Sequence, residues 1–366
     1  SIKRENLVNE FKNSNISIKY LDSLKYNIDY TEKNFLKKLF SFAQKNLFNK
    51  FSFLPYSLSG NLNNELKNKL NKFELIYFPW PFLIDFPEIN VPVIATFHDF
   101  NFKYYFSGTT TYSYSQMKLM NKQMSNWMNN SRIIVSNKFT ASELLKFYPN
   151  VKKKVNVIPL GPYSNIDNSN NKNFEEIRTK FNLPKKYIFC GTNTCAHKNL
   201  NPLFAALHLL KKEEIFINLI LTGPGTEVIN GKSSEYGVEL TYENREIFGL
   251  GYVKNNELDQ IIKNCDILIS PEMYTSDNGP ATDGWANGIP TILADIPSNR
   301  EHIETQSVYS ELFNYRDPED IAKKIKLVMN NKKKYLDFAE KSKQAINKIS
   351  WKNVAEEYYK TFNEAI

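Results

Sequence analysis

Short runs of consecutive apolar residues, each closed by a glycine, a proline or a polar cluster, recur along most of the chain. In the first half they are FELIYFPW (73–80), VPVIATFHDF (91–100), RIIV (132–135) and KVNVIPLG (154–161). In the second they are YIFCG (187–191), INLILTGPG (217–225), IFGLGYV (247–253), CDILISP (265–271) and Thr291 to Ala294. Each is too short for a helix and apolar on both faces of a two-residue repeat, the pattern of a strand buried on both sides of a parallel sheet. Between them stand segments with apolar residues at three- and four-residue spacing. These predict helices over 113–130, over 140–147 with Thr140 as N-cap and Glu143 completing a capping box, from about Asn201-Pro202, over Glu257 to Lys263, and over Trp351 to Ala365. The last carries Val354, Tyr358 and Phe362 on one face. Strands alternating with helices predict an α/β protein with parallel sheets in both halves. The start departs from this rhythm: residues 3–13 predict an amphipathic helix, Ile16 to Leu21 a strand, and 33–50 a basic, aromatic helix suited to a core face or a membrane interface. The first half therefore opens without the usual strand and glycine turn.

The richest stretch is CDILISPEMYTSDNGPATDGWANGIPTILADIPSNREH, residues 265–302. It reads as a buried strand, a polar loop, a helix opened by Pro280, a second buried strand, and a loop ending in Arg300-Glu301-His302. Asn278 or Gly279 can cap that helix, and Pro280 fits its first position, where a missing N–H costs nothing. The free N–H groups of the first turn then face a loop at the carboxyl end of a strand, where anions bind and where open α/β sheets hold ligands. Asp283, one turn into the helix, suits a ribose diol beside a bound diphosphate; the helix dipole alone also favours an acid there.

Length and charge divide the chain. At 366 residues it exceeds what one core usually serves. The polar segment SNIDNSNNKN (164–173) reads as a linker or surface loop, giving an expected boundary after residue 162. Residues 1–160 carry 22 Lys and Arg against 11 Asp and Glu, whereas residues 161–366 carry 25 against 28, so the net +8 belongs to the first half. Such a surplus suits membrane headgroups, a phosphorylated acceptor or nucleic acid, and Lys-rich composition alone also produces it. No run approaches the roughly 18 apolar residues of a membrane span, and the start has no apolar signal region, so a soluble, cytoplasmic protein is expected. The three cysteines, Cys190, Cys195 and Cys265, lack metal-site spacing and are expected to be reduced.

Taken in order, VIATFHDF, IIVSNKFTASELL before KVNVIPLG, GTNTCAHKNLNPLFAAL, LILTGPG, FGLGYV with ELDQIIKNCDILISP, and GPATDGWANGIPTILADIPSNREHI resemble the retaining glycosyltransferases of the GT-B architecture, family four, from about residue 73 onward. The resemblance implies two Rossmann-like domains, 1–162 and 163–345, facing across a cleft, with 346–366 as a helix packing back toward the first. It implies a hexosyl- or deoxyhexosyltransferase that moves a sugar from a nucleotide-diphosphate donor to a hydroxyl of a glycan or lipid-linked acceptor, commonly in surface polysaccharide or lipopolysaccharide assembly. It implies no cofactor, no metal and no nucleic acid, and the charge surplus adds an expected peripheral contact of the basic half with an anionic membrane. Lys198 is then the cation on the donor diphosphate, expected on an exposed loop, and His98 approaches the donor sugar from the first domain. The family's paired glutamates fall on Thr275 and Asp283, so the first is replaced by a hydroxyl. An arginine usual after the glycine of the first loop is absent, Thr192 and Asn193 standing there, and Arg300 is the substitute candidate. The implied donor side further takes in Gly191, His197, Asn199, Gly223, Tyr252, Val253, Ser276, Asp277, Asn278, Gly279, Ala281, Thr282 and Glu301, and the acceptor side Asp99, Ser136 and Lys138. The competing reading is an inactive module of the same fold that binds a nucleotide sugar or scaffolds an enzyme, motivated by Thr275 and the missing arginine.

Overall fold

The computed structural model describes residues 64–82, 85–104, 114–151, 155–162, 173–230 and 246–366. The expected helices at 3–13 and 33–50, the strand at 16–21 and nearly all of the 164–173 linker lie outside them.

Two wholly parallel sheets carry the fold. The first is four-stranded, in the order β1 (Ile76–Phe78), β2 (Val93–Thr96), β3 (Arg132–Val135), β4 (Val155–Val157). The strands are shorter than the apolar runs because Pro79, Pro92 and Pro159 bound them, and proline cannot donate to a ladder. Helices α2 (Tyr114–Asn130) and α3 (Lys138–Phe147) follow β2 and β3, and Trp127, Met124 and Met128 bury against Val93, Ala95 and Ile133. The capping box expected at Thr140 is not formed. Asn137 caps α3 instead: its Oδ1 accepts the Thr140 N–H at 2.7 Å, which draws Thr140 into the first turn, and Glu143 accepts from the Tyr104 hydroxyl at 2.6 Å.

The second sheet is six-stranded, in the order β10-β9-β8-β5-β6-β7, built from β5 (Ile188–Gly191), β6 (Leu219–Thr222), β7 (Ile247–Gly249), β8 (Ile267–Ser270), β9 (Thr291–Ala294) and β10 (Glu311–Phe313). Strand order reverses at β5, which pairs β6 on one side and β8 on the other. The loops after β5 and β8 therefore diverge to opposite faces and leave a crevice between them, the place where doubly wound sheets receive ligands. Helix α7 (Gly279–Ala286) rises from the β8 loop, with Asn278 as its cap and Pro280 at the start, as expected. The Arg300-Glu301-His302 segment lies inside helix α8 (Pro297–Gln306) rather than in a loop, because Pro297 opens a helix directly after β9.

The last helix, α11 (Trp351–Asn363), crosses back to the first sheet. Val354 buries with Ile94, Ile134 and Ile158, the Tyr358 hydroxyl meets Thr96 Oγ1 at 3.2 Å, Asn156 donates to Thr361, and Arg132 pairs with Glu364. Chain from the far end of the sequence thus closes one face of the β1–β4 sheet, so the two halves cannot separate without exposing this apolar seam.

Candidate active site

The carboxyl ends of the two sheets face a common cleft of about 580 Å³. Its first wall comes from the ends of β2, β3 and β4, with His98, Asp99, Asn101, Ser136, Asn137 and Lys138. Its second comes from the β5 and β8 loops and α7, with His197, Lys198, Tyr274 to Asp277, Gly279 and Thr282, and from α8 with Glu301 and His302.

Lys198 sits on a tight turn, Ala196–Lys198, whose shape follows from Asn199: that residue takes the left-handed conformation (φ 56°) and its amide donates to the carbonyls of Pro271 at 3.0 Å and Tyr315 at 2.8 Å. The Lys198 ammonium lies 2.8 Å from Glu272, whose carboxylate is almost wholly buried while its Oε2 has no hydrogen-bond partner. Burial, with the adjacent Lys198, pulls His197 down to about 4, so the ring is neutral at physiological pH. The start of α7 lines the same cleft. Asn278 is buried and spends its side chain on the Ala281 N–H, Ser270 and Asn299, while a side chain at Gly279 would point into open space. Gly191 lies under Pro280, where an added Cβ would come within 3.0 Å of the ring, so glycine at the end of β5 is what lets the helix terminus close on the crevice.

Hydrogen bonds cross the cleft. Tyr274 accepts the Phe100 N–H at 3.0 Å, Ser276 donates to the His98 carbonyl, and Asn137 donates to the Ser276 carbonyl at 2.8 Å and to Asp277 at 3.2 Å. Ser136 also donates to Asp277, and His302 donates to the Ser276 carbonyl at 2.8 Å. Glu301 accepts the N–H groups of Lys138 at 2.7 Å and Phe139 at 2.6 Å, a carboxylate on the exposed N-terminus of α3 contributed by the other sheet. Burial raises the carboxyls of both Asp99 and Asp277, against hydrogen bonds from the Asn101 N–H and Ser136 respectively that pull the other way. The first-turn N–H groups expected to be free are taken: Gly279 donates to the Asp277 carbonyl at 3.0 Å, Ala281 to Asn278 Oδ1 at 3.1 Å and Thr282 to the Asn278 carbonyl at 2.9 Å, and Pro280 has none, so the helix start offers the cleft its dipole. A cleft with one paired cation, a neutral imidazole, two carboxyls raised by burial and the positive end of a helix dipole is a place to hold an anionic leaving group.

The sequence that carries the second sheet has a recognisable likeness. Residues 171–345 match the family described as Glycosyl transferases group 1. Over that span the chain is similar to the group 1 glycosyltransferases. No curated protein matches the chain. Solved structures of similar fold include HepE of Anabaena in complex with UDP and glucose (TM-score 0.61, 13% identity, 82% of this chain and 80% of that one) and a glycosyltransferase of Rickettsia africae (0.62, 16%, 98% and 87%). Sucrose-phosphate synthase of Thermosynechococcus elongatus is a third (0.62, 14%, 82% and 75%). The two-sheet arrangement is the GT-B architecture of glycosyltransferases.

Within this glycosyltransferase fold the sequence-derived residues separate into groups. On the cleft wall stand His98, Asp99, Ser136 and Lys138 from the first sheet, and His197, Lys198, Thr275, Ser276, Asp277, Gly279, Thr282 and Glu301 from the second. Others shape the wall from behind. Asn193 accepts the Cys195 N–H, the Thr192 N–H bonds the Thr222 carbonyl, and Ala281 is buried in α7. Gly223 (φ 121°) passes so near Thr192 that a Cβ would fall 1.8 Å from its carbonyl oxygen. Val253 is core, whereas Tyr252 beside it is 78% exposed at the end of β7, away from the cleft.

Three expectations are corrected. Arg300 does not reach the cleft: α8 turns it outward and Asp295 holds its guanidinium bidentately. Asp283 follows Thr282 on α7 and is not part of the cleft wall. Lys198 is not an exposed loop lysine but a largely buried partner of Glu272. Asn101, Asn137, Tyr274, Glu272 and His302 also serve as wall or support residues without being legible as such in the sequence; Asn137, directly between a strand end and a helix, carried an N-cap signal that Thr140 obscured.

Proposed function

We propose that this chain transfers a glycosyl group from a nucleotide-diphosphate sugar to a hydroxyl of a glycan or lipid-linked acceptor, with retention and without a metal ion. The observation carrying this reading is a cleft at the switch point of the second sheet whose wall includes both Lys198 and the start of α7. A departing diphosphate develops negative charge, and a cation beside the positive end of a helix dipole is what stabilises it. In a front-face displacement the bond from the anomeric carbon to the diphosphate oxygen breaks and the acceptor oxygen bonds to that carbon on the same face. The acceptor proton passes to the departing diphosphate oxygen. This route needs no side-chain nucleophile, consistent with a wall that presents hydroxyls and amides at Thr275, Ser276 and Asn137. Folds similar to this one are solved with UDP and UDP-glucose, which makes a uridine donor the first to try.

The acceptor side belongs to residues 1–162 and the donor side to residues 163–345, with 346–366 joining them. A setting in surface polysaccharide or lipopolysaccharide assembly, on the cytoplasmic face of an anionic membrane, accords with the basic first half. Among the described residues no helix is long and apolar enough to cross a membrane. One observation favours a nucleotide-sugar-binding module without activity: Thr275 replaces an acid, and Asp277 is engaged by Ser136 and Asn137. Incubation with a panel of nucleotide sugars and simple acceptors, with anomeric configuration read by NMR, separates the readings. Transfer with retained configuration supports the enzyme, inversion removes the front-face route, and binding without turnover supports the module.

A further inference from the structure

The carboxyl end of the first sheet carries an aromatic platform that the donor chemistry leaves unused. Trp80, two residues past β1, is 52% exposed, whereas Trp127 and Trp285 are fully buried and Trp351 is half-buried. Its ring is fixed on two sides. Phe82 lies 5.5 Å away, centroid to centroid, and the His98 imidazole meets it edge-on at 5.6 Å with an interplanar angle of 81°. His98 is itself anchored, its Nε2 donating to the Pro79 carbonyl at 3.0 Å. Next to His98 on the cleft wall stand the Asp99 carboxyl and the Asn101 amide, the latter making no side-chain hydrogen bond among the described residues.

We propose that Trp80, with Asp99 and Asn101, forms the acceptor subsite, and that its ligand is the pyranose ring of a saccharide. A sugar ring has an apolar C–H face and a rim of hydroxyls. A flat, pre-positioned indole receives the first by burying apolar area, and a carboxyl and an amide alongside receive the second. The location follows from the fold: the platform extends the cleft past His98, on the sheet that does not carry Lys198, so a ring stacked there approaches the donor from the opposite wall. This inference rests on the transferase reading for the word acceptor, but the saccharide contact itself requires no turnover.

Acrylamide quenching tests it on the full chain, because Trp80 is the most accessible of the four indoles. The probes are methyl glycosides of glucose, galactose, mannose and N-acetylglucosamine, with UDP and anionic phosphatidylglycerol vesicles as separate arms. Protection by at least one glycoside, absent in Trp80→Phe and not produced by UDP or vesicles, supports the subsite, even where no transfer is found. In an active preparation Trp80→Ala raises the acceptor KM roughly tenfold against an unmoved donor KM. Absence of protection by every glycoside overturns the proposal. Protection by vesicles alone makes Trp80 a membrane contact, and protection by UDP alone places it on the donor side; each also overturns it.

Discussion

The pairing of Lys198 with Glu272 changes what a substitution at either residue does. An exposed lysine could be removed with little effect on stability, but here its loss strands a buried carboxylate that already has one unsatisfied oxygen. Lys198→Ala is therefore expected to destabilise the fold by about 2–4 kcal/mol as well as to abolish transfer. Glu272→Gln added to it restores most of the melting temperature without restoring activity, and thermal denaturation of the two variants beside a transfer assay checks both halves. Asp277 gives a second test. Burial raises its carboxyl in the folded chain, so folding favours the protonated form, and stability is lost as pH rises from the unfolded value of about 3.9 through the raised folded value. Asp277→Asn keeps acceptor and donor atoms for Ser136 and Asn137 while removing the charge. The variant is expected to melt above the parent at pH 7 and to converge with it near pH 3.5; equal shifts at both pH values would show that the carboxyl is not raised. The pairings behind both expectations were not legible in the sequence. Lys198 and Glu272 are 74 positions apart, and Ser136 and Asp277 are 141 apart, joined only by the order of strands.

At the scale of elements, the buried parallel strands were legible because a strand covered on both faces must be apolar throughout, and RIIV, LILT and ILIS can be little else. Helix α7 was legible for a different reason: Asn278, Gly279 and Pro280 form a start signal that no tertiary contact contradicts. The start of α3 was misread because Thr140 and Glu143 match a capping box while Asn137, three positions earlier, offers an equally good cap at the strand end. The role of α8 was hidden altogether, since Glu301 caps a helix 163 residues before it. Helix α7 yields the prediction for this scale. Asn278→Ala removes the cap of Ala281 and leaves Ser270 and Asn299 without their partner in a buried position, an expected loss of roughly 2–3 kcal/mol. Chemical denaturation measures it, and a loss within a few tenths of a kcal/mol would mean that the helix start is held by Pro280 alone.

Across the whole molecule, the alternation of strand and helix announced two parallel sheets, and the apolar face of α11 announced a helix that buries itself. Its return to the first domain was an expectation of the resemblance, and the contacts that hold it there, Val354 with Ile94, Ile134 and Ile158, come from the structure. The placement of basic residues also belongs to this scale. If the first half lies on an anionic membrane, co-sedimentation with phosphatidylglycerol vesicles falls as salt rises from about 50 to 500 mM and vanishes with neutral lipid; binding indifferent to lipid charge would leave the surplus as composition.

The central claim is that Lys198 and the terminus of α7 together hold a donor diphosphate. Calorimetric titration of UDP and UDP-glucose into the parent chain and into the folded Lys198→Ala/Glu272→Gln pair tests it most directly. Measurable affinity is expected in the parent, tighter for the nucleotide sugar than for UDP, with a loss of about tenfold or more in the double variant. Equal affinity in the two proteins, or no binding by any nucleotide sugar that exceeds its bare diphosphate, would contradict it.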